Sequence, residues 1–337
     1  MPARQAVGRY PKVKVSCSKA ALVNGVQAVY KAVSPKAAIP ALSGILVETC
    51  AQGLRLVAYD LDLGIETFIP VTIEREGAMV VPARYLSDIT RRLPHSEVVI
   101  EYREDVRAAD ILSDRSNFTV KTMPAEEFPA LPEIPMVSTW SIPEPGLKTM
   151  IKRTAPAVAT EDNRAFYTGI YTIFQRDTLT MVSTDTFRLA HRSMPVSLPI
   201  ENQIGVIIPG KTLLEVERNL SAEGDREVSV AVTDRHAMFR VGSTTYITRL
   251  LEGQFPNYRQ VFPQNIPARL MCDRTQLLNS IDRVSLMCKD ELSAIRMVYT
   301  GDEGMASGFL TITANTPEVG EARDDIPVSM QGHADVT

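Results

Sequence analysis

The stretch SKAALVNGVQAVYKAV, residues 18–33, decides the fold, because the spacing of its apolar side chains returns twice further along the chain. Leu22, Val26, Val29 and Val33 fall at i, i+4, i+7 and i+11, one face of a helix. Ser18 stands where its hydroxyl can accept from a free N–H of the first turn. Leu147, Ile151, Thr154 and Val158 repeat the spacing, and so do Leu277, Ile281, Val284 and Cys288. After each stripe comes an alternating run that reads as a strand: LRLVAYDLDLGIE from Leu54, LTMVSTDTFRLAH from Leu179 and LTITANTPEVGEA from Leu310. The intervals from Leu22, Leu147 and Leu277 to these runs are 32, 32 and 33 residues. Self-similarity at one spacing marks a repeated supersecondary unit.

A second helix recurs as well. VVPARYLSDITRRL carries Leu86, Ile89 and Leu93 after Pro82, and IIPGKTLLEVERNL carries Leu213, Val216 and Leu220 after Pro209. Proline suits a helix start, where its missing N–H would have no partner anyway. The proline-rich segments MPAEEFPALPEIP (123–135) and LEGQFPNYRQVFPQNIP (251–267) close the first two units and are predicted to be extended linkers. The expected architecture is α+β: an N-terminal extension over 1–11, then repeated domains over 12–134, 135–262 and 263–337, each with two helices on antiparallel sheets. In the third copy the counterpart of Pro82 and Pro209 would fall just past Thr337, so that domain is expected to be incomplete.

Composition excludes some classes and leaves others open. Hydrophobic residues at 45% and charged residues at 23% are ordinary for a globular protein. Neither a membrane-length apolar run nor a signal-like N-terminus is present, so a cytoplasmic location is expected. The four cysteines (Cys17, Cys50, Cys272, Cys288) form no CxxC pair and no metal-ligand spacing with the four histidines. Free, mostly buried thiols are expected, with neither metal nor cofactor. The net charge of −4 does not itself point to nucleic acid, so the distribution of charge must decide.

GVIIPGKT, Gly205 to Thr212, matches the phosphate-loop pattern literally and supports an alternative, a P-loop nucleotide-binding enzyme. Such a loop needs consecutive N–H groups curled into a nest. Val206, Ile207 and Ile208 favour a strand instead, and Pro209 has no N–H. Asp60, Asp62 and Asp185 sit at strand ends, where turn formation explains them better than a metal or acid–base cluster. No catalytic constellation emerges, and the chain is read as not an enzyme. The helices, by contrast, carry Lys19, Lys31, Lys148, Lys152, Arg153, Arg274 and Arg283, with Arg84, Arg91, Arg92, Lys211 and Arg218 on the second of each pair. Cations recurring on equivalent helices of an acidic protein suggest one positive surface for sequence-independent phosphate contact.

Taken together, IPALSGILVE, AYDLDLGIE, VVPARYLSDITRRLP, FTVKTMPAEEFPALP, STDTFRLA, IIPGKTLLEVERNL, EGQFPNYRQVFP and ITANTPEVGEA resemble the bacterial DNA polymerase III beta sliding clamps over nearly the whole chain. The resemblance implies two three-domain subunits closed head to tail into a ring, with helices lining the hole. Function would lie in topology: a ring around duplex DNA slides while tethering the polymerase. Lys36, Arg84, Arg91, Lys148, Lys152, Lys211, Arg218 and Arg283 would face DNA. A cleft for peptides from the polymerase catalytic subunit, the clamp loader and other proteins with clamp-binding motifs would use Arg164, Tyr167, Thr184, Thr186, Phe187, Arg188, Leu189, Pro256, Gln260 and Val261. Many relatives have Gly-His where Thr186-Phe187 stand and arginine where Gln260 stands, so peptide preference should differ. A homodimer, once the third domain is complete, would join Phe118 and Val120 to Leu286 and Met287 of its partner, with Arg103, Arg107 and Arg115 steering toward Glu318, Glu321 and Asp324. A clamp-like decoy that forms no ring is the other alternative.

Overall fold

The computed structural model describes residues 13–34, 39–94, 97–135, 139–161, 164–266, 268–288, 294–301 and 307–332. They fall into two compact units, Met1–Pro256 and Asn257–Thr337.

The first unit contains two copies of one module. The first copy runs β1 (Lys14–Ser18), α1 (Lys19–Tyr30), β2 (Gly44–Cys50), β3 (Gly53–Tyr59), β4 (Leu63–Ile69), β5 (Thr72–Arg75), β6 (Ala78–Pro82), α2 (Ala83–Arg92), β7 (Glu97–Arg103), β8 (Ala108–Ser113) and β9 (Ser116–Lys121). The second runs β10 (Trp140–Pro143), α3 (Glu144–Thr154), β11 (Gly169–Phe174), β12 (Thr178–Thr184), β13 (Leu189–Pro195), β14 (Ile204–Pro209), α4 (Gly210–Asn219), β15 (Glu227–Val232), β16 (His236–Val241) and β17 (Thr244–Arg249). The helix starts follow the sequence reading. Ser18 caps α1 by accepting from the Ala21 N–H at 3.2 Å, and Pro82 and Pro209 precede α2 and α4. The α3 stripe outruns its helix, because Pro156 cannot continue the α-helical ladder and a tight 3-10 turn carries the chain to Val158.

All sheets of the unit are antiparallel. One has the order β5-β1-β7-β8-β9 and another β13-β12-β11-β14. The third runs β10-β15-β16-β17-β4-β3-β2-β6 and therefore belongs to both modules. Its middle joint pairs β17 with β4, Tyr246 opposite Ile65 and Ile247 opposite Gly64. The Arg249 N–H donates to the Asp62 carbonyl at 2.8 Å beyond the last pair, and the Thr67 and Thr244 hydroxyls meet at 3.0 Å. Alternate residues of this sheet enter one core with both helix pairs: Leu22 and Val26 of α1, Leu86 of α2, Leu147 and Ile151 of α3, and Leu213 and Val216 of α4 are all buried there.

The first linker is not the extended spacer expected from its prolines. Met123 exchanges two backbone hydrogen bonds with Val80 on the free edge of β6, at 2.9 and 3.0 Å. Phe128 is buried with Ala41, Leu42, Val57 and Tyr59 on the sheet face away from the helices. Leu131 packs against that cluster and also against Ala231, Met238 and Ile247 of the second module. The segment is a strap across the joint. Gly64 is what lets it lie flat, since a Cβ there would sit 2.4 Å from Leu131 Cδ2.

The second unit is described by itself. It comprises β18 (Ala268–Met271), α5 (Arg274–Ser285), β19 (Arg296–Thr300), β20 (Ser307–Thr316) and β21 (Gly320–Gly332), with sheet order β18-β21-β20-β19. Asp273 caps α5 through Gln276 N at 2.8 Å. Val284, Leu310, Ile312, Ala314, Ile326 and Val328 form its core, while Leu278 and Leu286 are exposed. The cysteines are free, but the expectation that most are buried is corrected. Cys17 alone is buried, which pushes its thiol up to about 11; Cys50 and Cys288 are half-buried and Cys272 is exposed.

Candidate functional site

The sheet β13-β12-β11-β14 presents Ile170, Phe174, Leu179 and Met181 to the helices. The period of two along each strand turns the cross-strand pair Thr184 and Leu189, and Tyr171 on β11, to the opposite face. Between Thr184 and Leu189 the chain makes a tight turn tied by its own side chains. The Asp185 carboxylate accepts from the N–H groups of Phe187 and Arg188 at 3.1 and 3.0 Å and from Arg188 Nε at 2.9 Å. The Thr184 hydroxyl accepts from Thr186 N–H at 3.1 Å and donates to the Arg188 carbonyl at 2.7 Å. Partial desolvation pushes the Asp185 carboxyl up, but these N–H groups and the guanidinium outweigh it and hold the group below the usual carboxylate range. Because the folded value is the lower one, this anchorage contributes at neutral pH and is lost as pH falls through the lowered value.

The turn is strained. Thr186 has φ +78°, the left-handed region that a β-branched side chain tolerates poorly. Phe187 beside it is 96% exposed. The same device occurs in the first module, where Asp60 accepts from Asp62 and Leu63 N–H at 3.0 and 2.6 Å and Leu61 has φ +79°. Turn formation is thus what Asp60 and Asp185 do. Thr186→Gly should raise the stability of the first unit by about 1 kcal/mol, the relief of strain less the entropy glycine adds to the unfolded chain. An upward shift of the melting temperature is the expected reading, and a fall would show that Thr186 is at ease there.

In the short turn that leads into β11, Tyr167 is buried, with the Arg164 guanidinium 4.4 Å from its ring centroid and Phe166 at 4.6 Å. Phe255 stacks on Tyr171 at 5.1 Å, which brings Pro256 to the same face. Five of the predicted cleft residues, Thr184, Thr186, Phe187, Arg188 and Leu189, therefore stand on one sheet face or its rim with Pro256, while Arg164 and Tyr167 pack on each other in the turn just ahead of β11. Gln260 and Val261 belong to the second unit, where both are exposed.

The phosphate-loop reading of Gly205–Thr212 fails on backbone geometry. Gly205 to Pro209 lie in β14, paired with β11 from Ile173 to Gly169, and only from Gly210 does α4 begin. An extended strand cannot form the nest of N–H groups that phosphates need. Among the described residues no group of three or more His, Cys, Asp or Glu side chains could hold a metal.

The cationic helix residues divide into two kinds. Arg84, Arg91, Lys152 and Lys211 are exposed with no acidic partner among the described residues. Lys148, expected to face DNA freely, is half-buried and donates to the Glu217 and Leu220 carbonyls at 3.0 and 2.9 Å, closing the end of α4. Lys19 closes α2 in the same way by donating to the Leu93 carbonyl. Sequence reasoning misses this capping role, since nothing in a helix's own pattern says which neighbouring helix ends beside it. Arg218 pairs with Glu215, and Arg283 donates to Asp324 at 2.9 Å. Lys36 lies outside the described residues. The steering idea is also reduced, because Arg103 is held by Asp105 at 2.7 Å and Asp110 at 3.4 Å, and Asp324 by Arg283.

Residues 13–132 match the family model for the N-terminal domain of the DNA polymerase III beta subunit, and residues 141–257 that for its central domain. The beta sliding clamp of Bacillus subtilis is 30% identical over 93% of this chain and 84% of its own length, and those of Staphylococcus aureus are 29% identical over 88% and 78%. The crystal structure of the B. subtilis clamp superposes with a TM-score of 0.88 at 30% identity, covering 96% of this chain and 86% of that one. A Pseudomonas aeruginosa sliding clamp bound to griselimycin gives 0.86 at 30% identity, with coverage of 95% and 85%. With its repeated two-helix modules joined into a continuous sheet and a side-chain-tied turn at Asp185, this chain belongs to the family of DNA polymerase III beta subunits, the bacterial sliding clamps.

Proposed function

We propose that the chain acts as a processivity factor without catalysis of its own: it encircles duplex DNA and tethers the replicative polymerase through a peptide-binding cleft. The observation that carries this reading is the joint between β17 and β4. The joined edges are different surfaces, the last strand of one module and the fourth of the module before it. Such a head-to-tail contact repeats and closes into a ring when the rotation per module allows. In the first module the strand equivalent to β17 is β9, which pairs only with β8 among the described strands and exposes Phe118. It is the edge a partner subunit would take, Phe118 and Val120 meeting the surface that carries Leu286 and Met287. Domains over 12–134, 135–262 and 263–337 are the rotating units of that ring.

DNA is held by linkage, so affinity can stay low and sliding free. Arg84, Arg91, Lys152 and Lys211 offer exposed cations to the phosphates, Arg218 adds a guanidinium shared with Glu215, and their weak, sequence-independent attraction suits a sleeve that moves. Replacing Lys152 and Lys211 by Ala should reduce the slope of log affinity for duplex DNA against log salt by about 2, close to one for each phosphate no longer neutralised. An unchanged slope would remove both from the DNA-facing surface. The function itself is tested by primer extension on a singly primed circle with the replicative polymerase and clamp loader. Adding the protein should convert short products into full-length ones in a single binding event, and products of unchanged length would contradict the proposal.

A further inference from the structure

The two modules treat one place differently. In the first, Leu46 of β2, Val57 of β3 and Val80 of β6 are covered by Met123 and Phe128 of the strap, and the cluster is closed. Strand register makes Tyr171, Val182 and Ile207 their counterparts, since Gly44 faces Pro82 as Gly169 faces Pro209. There the chain after β17 leaves a groove of about 490 Å³, whose walls combine Tyr171, Ile207 and Phe255 with the charged Asp234, Arg235 and Arg249. Val80 exchanges two backbone bonds with Met123; Ile207 accepts only one, from Leu251 N–H at 2.9 Å, among the described residues. Gly253, at φ +123°, then turns the chain away. Two residues before Ile207 on the same strand edge lies Gly205, which is exposed, and its edge-facing N–H and C=O have no partner among the described residues.

We propose that this groove is a second peptide subsite, taking the extended residues that flank the anchoring motif of a partner peptide. The inference rests on the cleft reading above. Groove and cleft are continuous: Phe255 of the groove precedes Pro256 of the cleft, and Gly253 packs against Phe166, the neighbour of Tyr167. From Thr184 to Gly205 is two strand spacings across and about four residues along, roughly 16 Å, a reach of about five extended residues. A flank of that length would add its backbone to Gly205 as a short edge strand and lay an apolar side chain on Tyr171, Ile207 and Phe255. A side chain on residue 205 would disrupt it, because a Cβ there would be 2.5 Å from the Tyr171 hydroxyl and would push that ring out of its place in the groove wall.

The test is fluorescence polarisation of the full chain with two labelled peptides: a hexapeptide carrying the polymerase's clamp-binding motif, and the same motif with five native residues added at each end. The longer peptide should bind about ten-fold more tightly. Gly205→Val should remove that gain and leave the hexapeptide's affinity as it was. A long peptide N-methylated at alternate flanking residues should lose the gain on the unaltered protein, which keeps the test independent of how the variant folds. Equal affinity of the two peptides, or a gain that survives N-methylation, would overturn the subsite while leaving the cleft intact. Failure of the hexapeptide itself to bind would overturn the cleft, and the subsite with it.

Discussion

Tyr246→Ala is expected to lower the stability of the first unit by about 3–5 kcal/mol, the usual cost of truncating a fully buried aromatic side chain. Tyr246 is 1% exposed and sits on β17 opposite Ile65 of β4, with Phe239 opposite it on its other side. The cavity would open at the joint that makes two modules one sheet. For a unit of this size the loss corresponds to a fall of roughly 10 °C in melting temperature. Thermal unfolding followed by circular dichroism reads it directly. A shift of only a degree or two would mean that the joint is not part of the cooperative core.

The second large effect concerns partner capture. Replacing Arg188 and Leu189 by Ala should weaken binding of a polymerase-derived peptide by about thirty-fold or more, equivalent to about 2 kcal/mol for loss of a buried apolar anchor. Leu189 supplies the apolar surface beside Thr184, and Arg188 ties the turn through Asp185. Neither is buried in the core, so the unfolding transition should hardly move. Unchanged peptide affinity in a well-folded variant would take the cleft away from this face.

What the sequence reveals, and what it does not, follows from the range of the interactions. The stripes at Leu22, Leu147 and Leu277 predict helices because helical periodicity is local, and Pro82 and Pro209 mark their successors for the same reason. The turn at Asp185 is equally readable, since a carboxylate reaching N–H groups two and three residues on is short-range chemistry. The joint is not. Nothing in TTYITR says that its free edge meets LGIETFI rather than another strand. The first linker misleads because its prolines report a lack of helix, whereas Leu131 and Phe128 are held by surfaces distant in sequence. Lys148 misleads likewise: its charge is visible, but the end of α4 that uses it lies about seventy residues away. Among the site residues, Thr184 to Leu189 are assigned by family resemblance, and the strain at Thr186 needs coordinates.

On the proposed function the protein holds DNA by linkage rather than affinity. That linkage is tested most directly by loading the protein onto a nicked circular duplex with clamp loader and ATP, isolating the complex, and cutting the circle once with a restriction enzyme. Linkage predicts that the protein stays on the intact circle through gel filtration at high salt and is lost from the DNA once an end is made. Equal retention on cut and uncut DNA, or binding to the circle without the loader that resists the same salt, would contradict it.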